Sequence, residues 1–295
     1  MFRSGFVAAF LALLALPSAI FAQSRPNIDP AIWVVKDKDT TIYLFGTFHL
    51  LDGKSDWFND EVKKAFDASQ EVELEAILPD NPADMQQLVM KYAVDTSGKK
   101  LSDRLSPETK ARLDKQLAAA RLPAGAFERF EPWFAATALT SLDAGRLGLK
   151  ADSGPEAVIT KAAQAAGKPI GELESAEKQL AMLDSLSEKE QIAFLDETLE
   201  SGEKLNEDFP AMIKAWSAGD TARLAELLNE GLGDDPELYK KLLTDRNANW
   251  ADWIAARLAK PGSVFMAVGA GHLAGKDSVL EILSRRGIKW ERYKG

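Results

Sequence analysis

The chain has 295 residues, with 36 Lys plus Arg against 45 Asp plus Glu and a formal net charge of −9. That balance excludes a protein that binds nucleic acid chiefly by neutralising phosphates. The absence of cysteine excludes disulfide scaffolds, thiolate zinc sites, iron–sulfur clusters and cysteine nucleophiles together. Only two histidines occur.

At the N-terminus, Arg3, the apolar run from Phe6 to Leu16, Pro17 and the small Ala22 read as a secretory signal cleaved after Ala22. The run is shorter than the roughly 18 apolar residues of a membrane span, and no later segment reaches that length. Residues 1–22 carry Arg3 and no acid, so the mature chain has 36 − 1 = 35 basic against 45 acidic residues, or −10. The expectation is a periplasmic or secreted protein with no integral membrane span.

Further along, Ile32-Trp33-Val34-Val35, a turn at Lys36 to Asp39, and Thr41 to Phe45 predict a β-hairpin. Phe58, Val62, Ala65 and Phe66 recur at helical spacing behind the candidate caps Asn59 and Asp60. Glu71-Val72-Glu73-Leu74-Glu75-Ala76 alternates strictly, as a half-buried strand does. From about Pro79 to Leu243 the pattern is mostly helical. Ser106-Pro107 marks one helix start, Ser187 and Glu190 form a capping box, and a single strand is expected at Pro169 to Leu173. Trp133 and Phe134 read as helix core. A helix from Asp245 to Leu258, a strand from Ser263 to Val268, a helix over Val279 to Arg286 and a strand from Ile288 to Tyr293 close the chain, with Gly287 as a helix C-terminal glycine. The predicted architecture is one α/β domain over 23–295. Its N- and C-terminal α/β segments form a central mixed sheet, and a mostly helical insertion occupies about 79–243.

Both histidines follow a strand in the same way: Gly46-Thr47-Phe48-His49-Leu50 and Gly269-Ala270-Gly271-His272-Leu273. Glycine is 20 of the 295 residues, so this repetition has a chance probability under about one in a hundred. In open α/β sheets the crevice at the carboxyl ends of the strands is the usual ligand site. Two imidazoles with a carboxylate form a common catalytic metal set, and Glu73 or Glu75 approaches the same rim from the strand before the helical region. Gly269-Ala270-Gly271 is not a dinucleotide loop, because no third glycine follows at the required spacing.

These segments, together with Pro132-Trp133, Leu173-Glu174-Ser175, Gln179, Arg246-Asn247 and Trp250, resemble the TraB/GumN family, which also contains the Tiki-type proteins. The likeness runs from about Trp33 to Tyr293. It implies an α/β fold with a helical insertion. In Tiki-type members it implies a metal-dependent peptidase whose two histidines and glutamate fall on His49, His272 and Glu73. Two positions depart from the family pattern: Glu75 stands where an aspartate is usual, and Glu156 follows Gly154-Pro155 where Gly-x-Asp is frequent.

The expected function is therefore an exported metal-dependent hydrolase acting on peptides or another small envelope substrate. A Mn, Co or Zn ion would be held by His49, Glu73 and His272, and Glu75 or Glu174 would take the proton of the bound water. Arg246 would neutralise the glutamates or grip a substrate carboxylate, and Asn247 would bind metal or polarise a carbonyl. The alternatives are a non-catalytic periplasmic protein that binds metal, haem or peptide, and an accessory factor in polysaccharide production. Two geometric expectations follow: His49 and His272 on neighbouring strand ends, and Arg246 in salt-bridge reach of Glu73, Glu75 or Glu174.

Overall fold

Asp37 turns the first hairpin. Its carboxylate accepts the backbone N–H groups of Asp39 and Thr40, which folds β1 (Ile32–Lys36) back on β2 (Thr40–Thr47) in antiparallel register, Trp33 opposite Leu44. This geometry comes from a computed structural model that describes residues 28–79, 81–229 and 235–295. The segment read as a secretory signal, 1–22, lies outside the described residues.

After the hairpin, α1 (Asp60–Ala68) leads to β3 (Glu71–Leu74). The helical region then runs through α2 (Pro82–Tyr92), α3 (Leu101–Arg104), α4 (Pro107–Ala119), α5 (Pro132–Arg146) and α6 (Pro155–Ala165). Strand β4 (Ile170–Glu172) interrupts it before α7 (Ala176–Asp184), α8 (Glu188–Ser217), α9 (Thr221–Asn229) and α10 (Pro236–Tyr239). A π-helical turn over Lys240–Thr244 joins α10 to α11 (Asp245–Leu258), and β5 (Gly262–Gly269), α12 (Val279–Arg285) and β6 (Trp290–Arg292) complete the chain. Two of the caps read from the sequence are in place, Ser106 accepting the Thr109 N–H and Ser187 and Glu190 satisfying each other's backbone, whereas Asn59 at the start of α1 makes no side-chain cap bond.

The strands form one mixed sheet in the order β4-β3-β5-β2-β1-β6. The four strands from β4 to β2 are parallel, and β1 and β6 extend the sheet antiparallel. Strand β5 is central and covered on both faces, which is why Val264 to Val268 reads as an unbroken apolar run. On one face Phe45, Val72, Leu74 and Phe265 pack against α1, α6 and the end of α8 through Phe66, Ile159 and Trp216. On the other, Leu44, Met266 and Val268 pack against α11 and α12 through Trp250, Ile254, Leu280 and Leu283.

A third cluster lies within the helical region, where Leu101, Leu117, Leu139, Leu195 and Leu199 gather and Phe134 packs at the margin; Trp133 is fully buried beside them. Helix α8 belongs to two clusters. It contributes Leu195 and Leu199 to the helical one and Ala215 and Trp216 to the sheet, about 45 Å end to end at 1.5 Å per residue.

Candidate active site

The parallel strands all end on one edge, and each delivers a polar residue just beyond its last ladder pair. Thr47 ends β2 opposite Gly269, which ends β5. His49 therefore follows one strand and His272 its immediate neighbour. Glu75 follows β3, its N–H donating to Ala267 O, and Glu174 follows β4, its N–H donating to Glu75 O at 3.0 Å. The first turn of α11 faces this edge with Arg246, Asn247 and, one turn on, Trp250.

Arg246 is the hub. Its Nη2 donates to Glu75 Oε1 at 2.6 Å, its Nε donates to Glu174 Oε2 at 2.9 Å, and its Nη1 reaches Leu242 O at 3.3 Å and His272 Nε2 at 3.1 Å. This is the ion pairing anticipated from charge, made with Glu75 and Glu174 and not with Glu73. Gln179 on α7 and the Gly269 N–H also donate to Glu75, at 3.0 and 2.9 Å. Space at Gly269 is tight: a Cβ would stand 3.3 Å from Glu75 Oε2 and 3.4 Å from the His272 ring, so these side chains would have to shift by a few tenths of an ångström. Burial acts to raise the Glu75 pKa, but His272, Arg246, His49 and the Gly269 N–H outweigh it and hold the group at about 2.

His272 is buried, and its tautomer follows from its partners. Asn247 Nδ2 donates to Asp277 O at 2.8 Å, leaving Oδ1 to accept from His272 Nδ1 at 2.6 Å. A guanidinium can only donate, so Nε2 is the lone-pair nitrogen facing Arg246. Burial pushes His272 down to about 3, with Arg246 adding to it against the pull of Glu75. The imidazole is neutral, and its ring lies tilted against Trp250, with centroids 4.3 Å apart and planes at 47°.

His49 has the opposite character. Its Nδ1 hydrogen-bonds Glu156 Oε1 at 2.8 Å, and Thr47 Oγ1 donates to the same oxygen at 2.6 Å. The Glu156 hydrogen bond raises His49 to about 9, against the effect of burial. With 68% of its side-chain area exposed, solvent screens part of that shift. Burial acts to raise Glu156, but the His49 and Thr47 contacts bring it below the usual range. Residues that neighbour the pair in the chain line a cleft of about 800 Å³. Its lining starts at Leu51, two residues past His49, and includes Ser153 and Val158 on either side of Glu156, then Trp57, Phe209 and Trp216.

The three expected metal ligands do not converge. Glu73 sits within β3, in register with Met266 and Gly171, with its carboxylate packed on Gly171. It is two residues short of the point where Glu75 emerges. Burial, reinforced by Glu71 and Glu172, pushes Glu73 up to about 7. The remaining donors do not fit a divalent ion either. His272 Nε2 and Glu75 Oε1 are capped by the guanidinium, and His49 Nδ1 is turned to Glu156. Glu156 Oε2, buried and without a hydrogen-bond partner, is one donor where three are required. Among the described residues, no three His, Cys, Asp or Glu side chains form a set that could hold a metal ion.

Three participants were not assigned from the sequence. Glu156 was left without a role, although Pro155 at the first position of α6 places it in the opening turn. Gln179 had a detectable signal in the Ser175 cap of α7, which sets its position relative to Glu174. Thr47 lies inside the first Gly-x-x-His motif.

Fold and site define an α/β/α protein with a charged crevice at the ends of its parallel strands. The chain belongs to the TraB/PrgY/gumN family, whose profile matches residues 31–292. It is 31% identical to the uncharacterized protein YbaP of Escherichia coli (strain K12) over 183 residues, 62% of this chain and 67% of YbaP. An uncharacterized protein of Treponema pallidum (strain Nichols) is 25% identical over 92% of this chain and 84% of its own length. Metalloprotease TIKI2 of Danio rerio is 25% identical over 91% of this chain, which spans 62% of TIKI2. No solved structure matches. Among the described residues, no helix is long and apolar enough to cross a membrane.

Proposed function

We propose that this protein is a hydrolase of peptides in which His49 moves the proton. The observation that carries this is the His49–Glu156 hydrogen bond, whose chain neighbours Leu51, Ser153 and Val158 line the 800 Å³ cleft. A partly buried carboxylate holding Nδ1 fixes the ring and leaves Nε2 to meet substrate and water, the arrangement that makes imidazole a general base. Nε2 makes no hydrogen bond within the described residues, in keeping with the exposure of the ring.

Glu75 is a poor proton acceptor, because a carboxylate held near 2 is a weak base at neutral pH. The Arg246 network instead fixes the shape and charge of the crevice floor. Peptide as the substrate class is supported by the metalloprotease relatives and by the aromatic and apolar walls of the cleft, Trp57, Phe58, Phe209 and Ile213. An exported location rests on the N-terminal sequence, Arg3 to Ala22.

The test is incubation of the purified protein with a peptide library read by mass spectrometry. Cleavage is expected, with turnover falling by about 10²–10⁴ in His49→Ala, the usual contribution of one acid–base group. Retention of a peptide without cleavage would favour a binding protein.

A further inference from the structure

We propose that the Arg246 guanidinium is the resident cation of the crevice, occupying the place a divalent ion would need between His272, Glu75 and Glu174, so that this site holds no metal. The inference shares the crevice with the hydrolase reading and does not depend on turnover.

Three observations converge. The first is distance. A metal on His272 would sit about 2.0–2.1 Å out along the Nε2 lone pair. Arg246 Nη1 lies 3.1 Å from that nitrogen, so the ion would fall about 1 Å from the guanidinium nitrogen, inside its van der Waals surface. The second is tautomer. Asn247 Oδ1 holds the Nδ1 proton and itself is fixed by Asp277 O, so the ring cannot offer Nδ1 to an ion without breaking a buried pair. The third is saturation. Arg246 makes four hydrogen bonds, to Glu75, Glu174, His272 and Leu242 O, its Nη2 also lies 2.9 Å from Glu174 Oε2, and its Cζ sits over the Trp250 ring, 4.9 Å from the centroid. Such a guanidinium is locked, and it stays charged when buried. Arg246 thus acts as a positioning residue that keeps Glu75 ionised and His272 neutral.

With two histidines in the chain, the imidazole ¹⁵N spectrum is assigned by one variant, His49→Gln. Purified protein dialysed against Zn²⁺, Co²⁺ or Mn²⁺ and then desalted is expected to carry no stoichiometric ion by mass spectrometry. His272 is expected to remain the Nδ1–H tautomer with its Nε2 resonance unmoved. Arg246→Met unmasks one imidazole and two carboxylates, so that variant is expected to take up about one zinc per chain and to melt higher when zinc is added.

Wild-type protein holding about one ion per chain, lost in His272→Ala, overturns the proposal. So does a folded Arg246→Met that gains no zinc. If Arg246→Met does not fold, the wild-type metal content and spectrum decide. Peptide turnover in EDTA-treated protein bears on the hydrolase reading alone.

Discussion

His49 and His272 share a motif and diverge in chemistry, because what each ring nitrogen meets differs. His49 bonds a carboxylate and is raised to about 9, whereas His272 is buried beside a guanidinium and lowered to about 3. If His49 is the base, kcat/KM rises with pH toward about 9. Glu156→Gln removes the hydrogen bond and charge that hold the proton, so the midpoint of that profile moves down toward the ordinary 6.5. A midpoint that stays in place removes Glu156 from the proton path. At His272, Asn247→Leu leaves the buried Nδ1–H without its acceptor and is expected to cost about 1–3 kcal/mol in chemical denaturation. The duplicated Gly-x-x-His was legible because the chain has only two histidines and both stand three residues after a glycine. Alternation placed Glu71, Glu73 and Glu75 on one face but could not say where the strand stops, and that boundary separates Glu73 from the crevice. Glu156 lies 107 residues from its partner His49, a separation no local pattern bridges.

The helices and strands were legible nearly to their ends, because caps and periodicity are local. Ser106, Ser187 and Gly287 mark their helices as read, and β5 extends the expected strand by one residue at each end. Which strands become neighbours was not legible in detail. Strand β2 pairs with β5 more than 200 residues away, a choice made by burial of both sheet faces rather than by any turn. Helix α8 also continues through Pro210, although proline forfeits a backbone hydrogen bond, because tertiary packing at both ends holds it. The connection between β2 and α6 depends on Gly154. A Cβ there would stand 2.1 Å from His49 O, a contact with backbone that no side-chain rotation relieves. Gly154→Ala is expected to destabilise the protein by about 1–3 kcal/mol and to displace the His49 loop. Unchanged melting and unchanged activity in that variant would show that the approach of these two segments is not essential.

At the scale of the whole molecule, the two histidines, Glu75 and Glu73 are among the perturbed groups that shape the dependence of stability on pH. His272, neutral in the fold with its pKa lowered from 6.5 to about 3, contributes stability that is complete above 6.5 and lost as pH falls toward 3. Glu75, lowered from 4.5 to about 2, contributes in the same sense, complete above 4.5 and lost toward 2. His49, raised from 6.5 to about 9, contributes below 6.5 and loses that contribution as pH rises toward 9. Glu73, raised from 4.5 to about 7, also favours the fold at low pH and ceases to do so as it ionises. Stability should therefore climb with pH below about 4.5, where His272 and Glu75 act together, and decline above about 6.5, where His49 and Glu73 do. Between those limits the slopes of His272 and Glu73 oppose each other and the curve flattens. Glu73→Gln isolates one component, since an amide of the same shape carries no proton to lose. Near pH 4 the variant and the parent should denature alike. At pH 8 the variant should be the more stable by about 1–2 kcal/mol, a figure reduced from the full shift because the side chain is only partly buried. An equal difference at both pH values, measured by urea denaturation, would show that Glu73 titrates as an ordinary carboxylate and that burial beneath Gly171 imposes no cost on its charge.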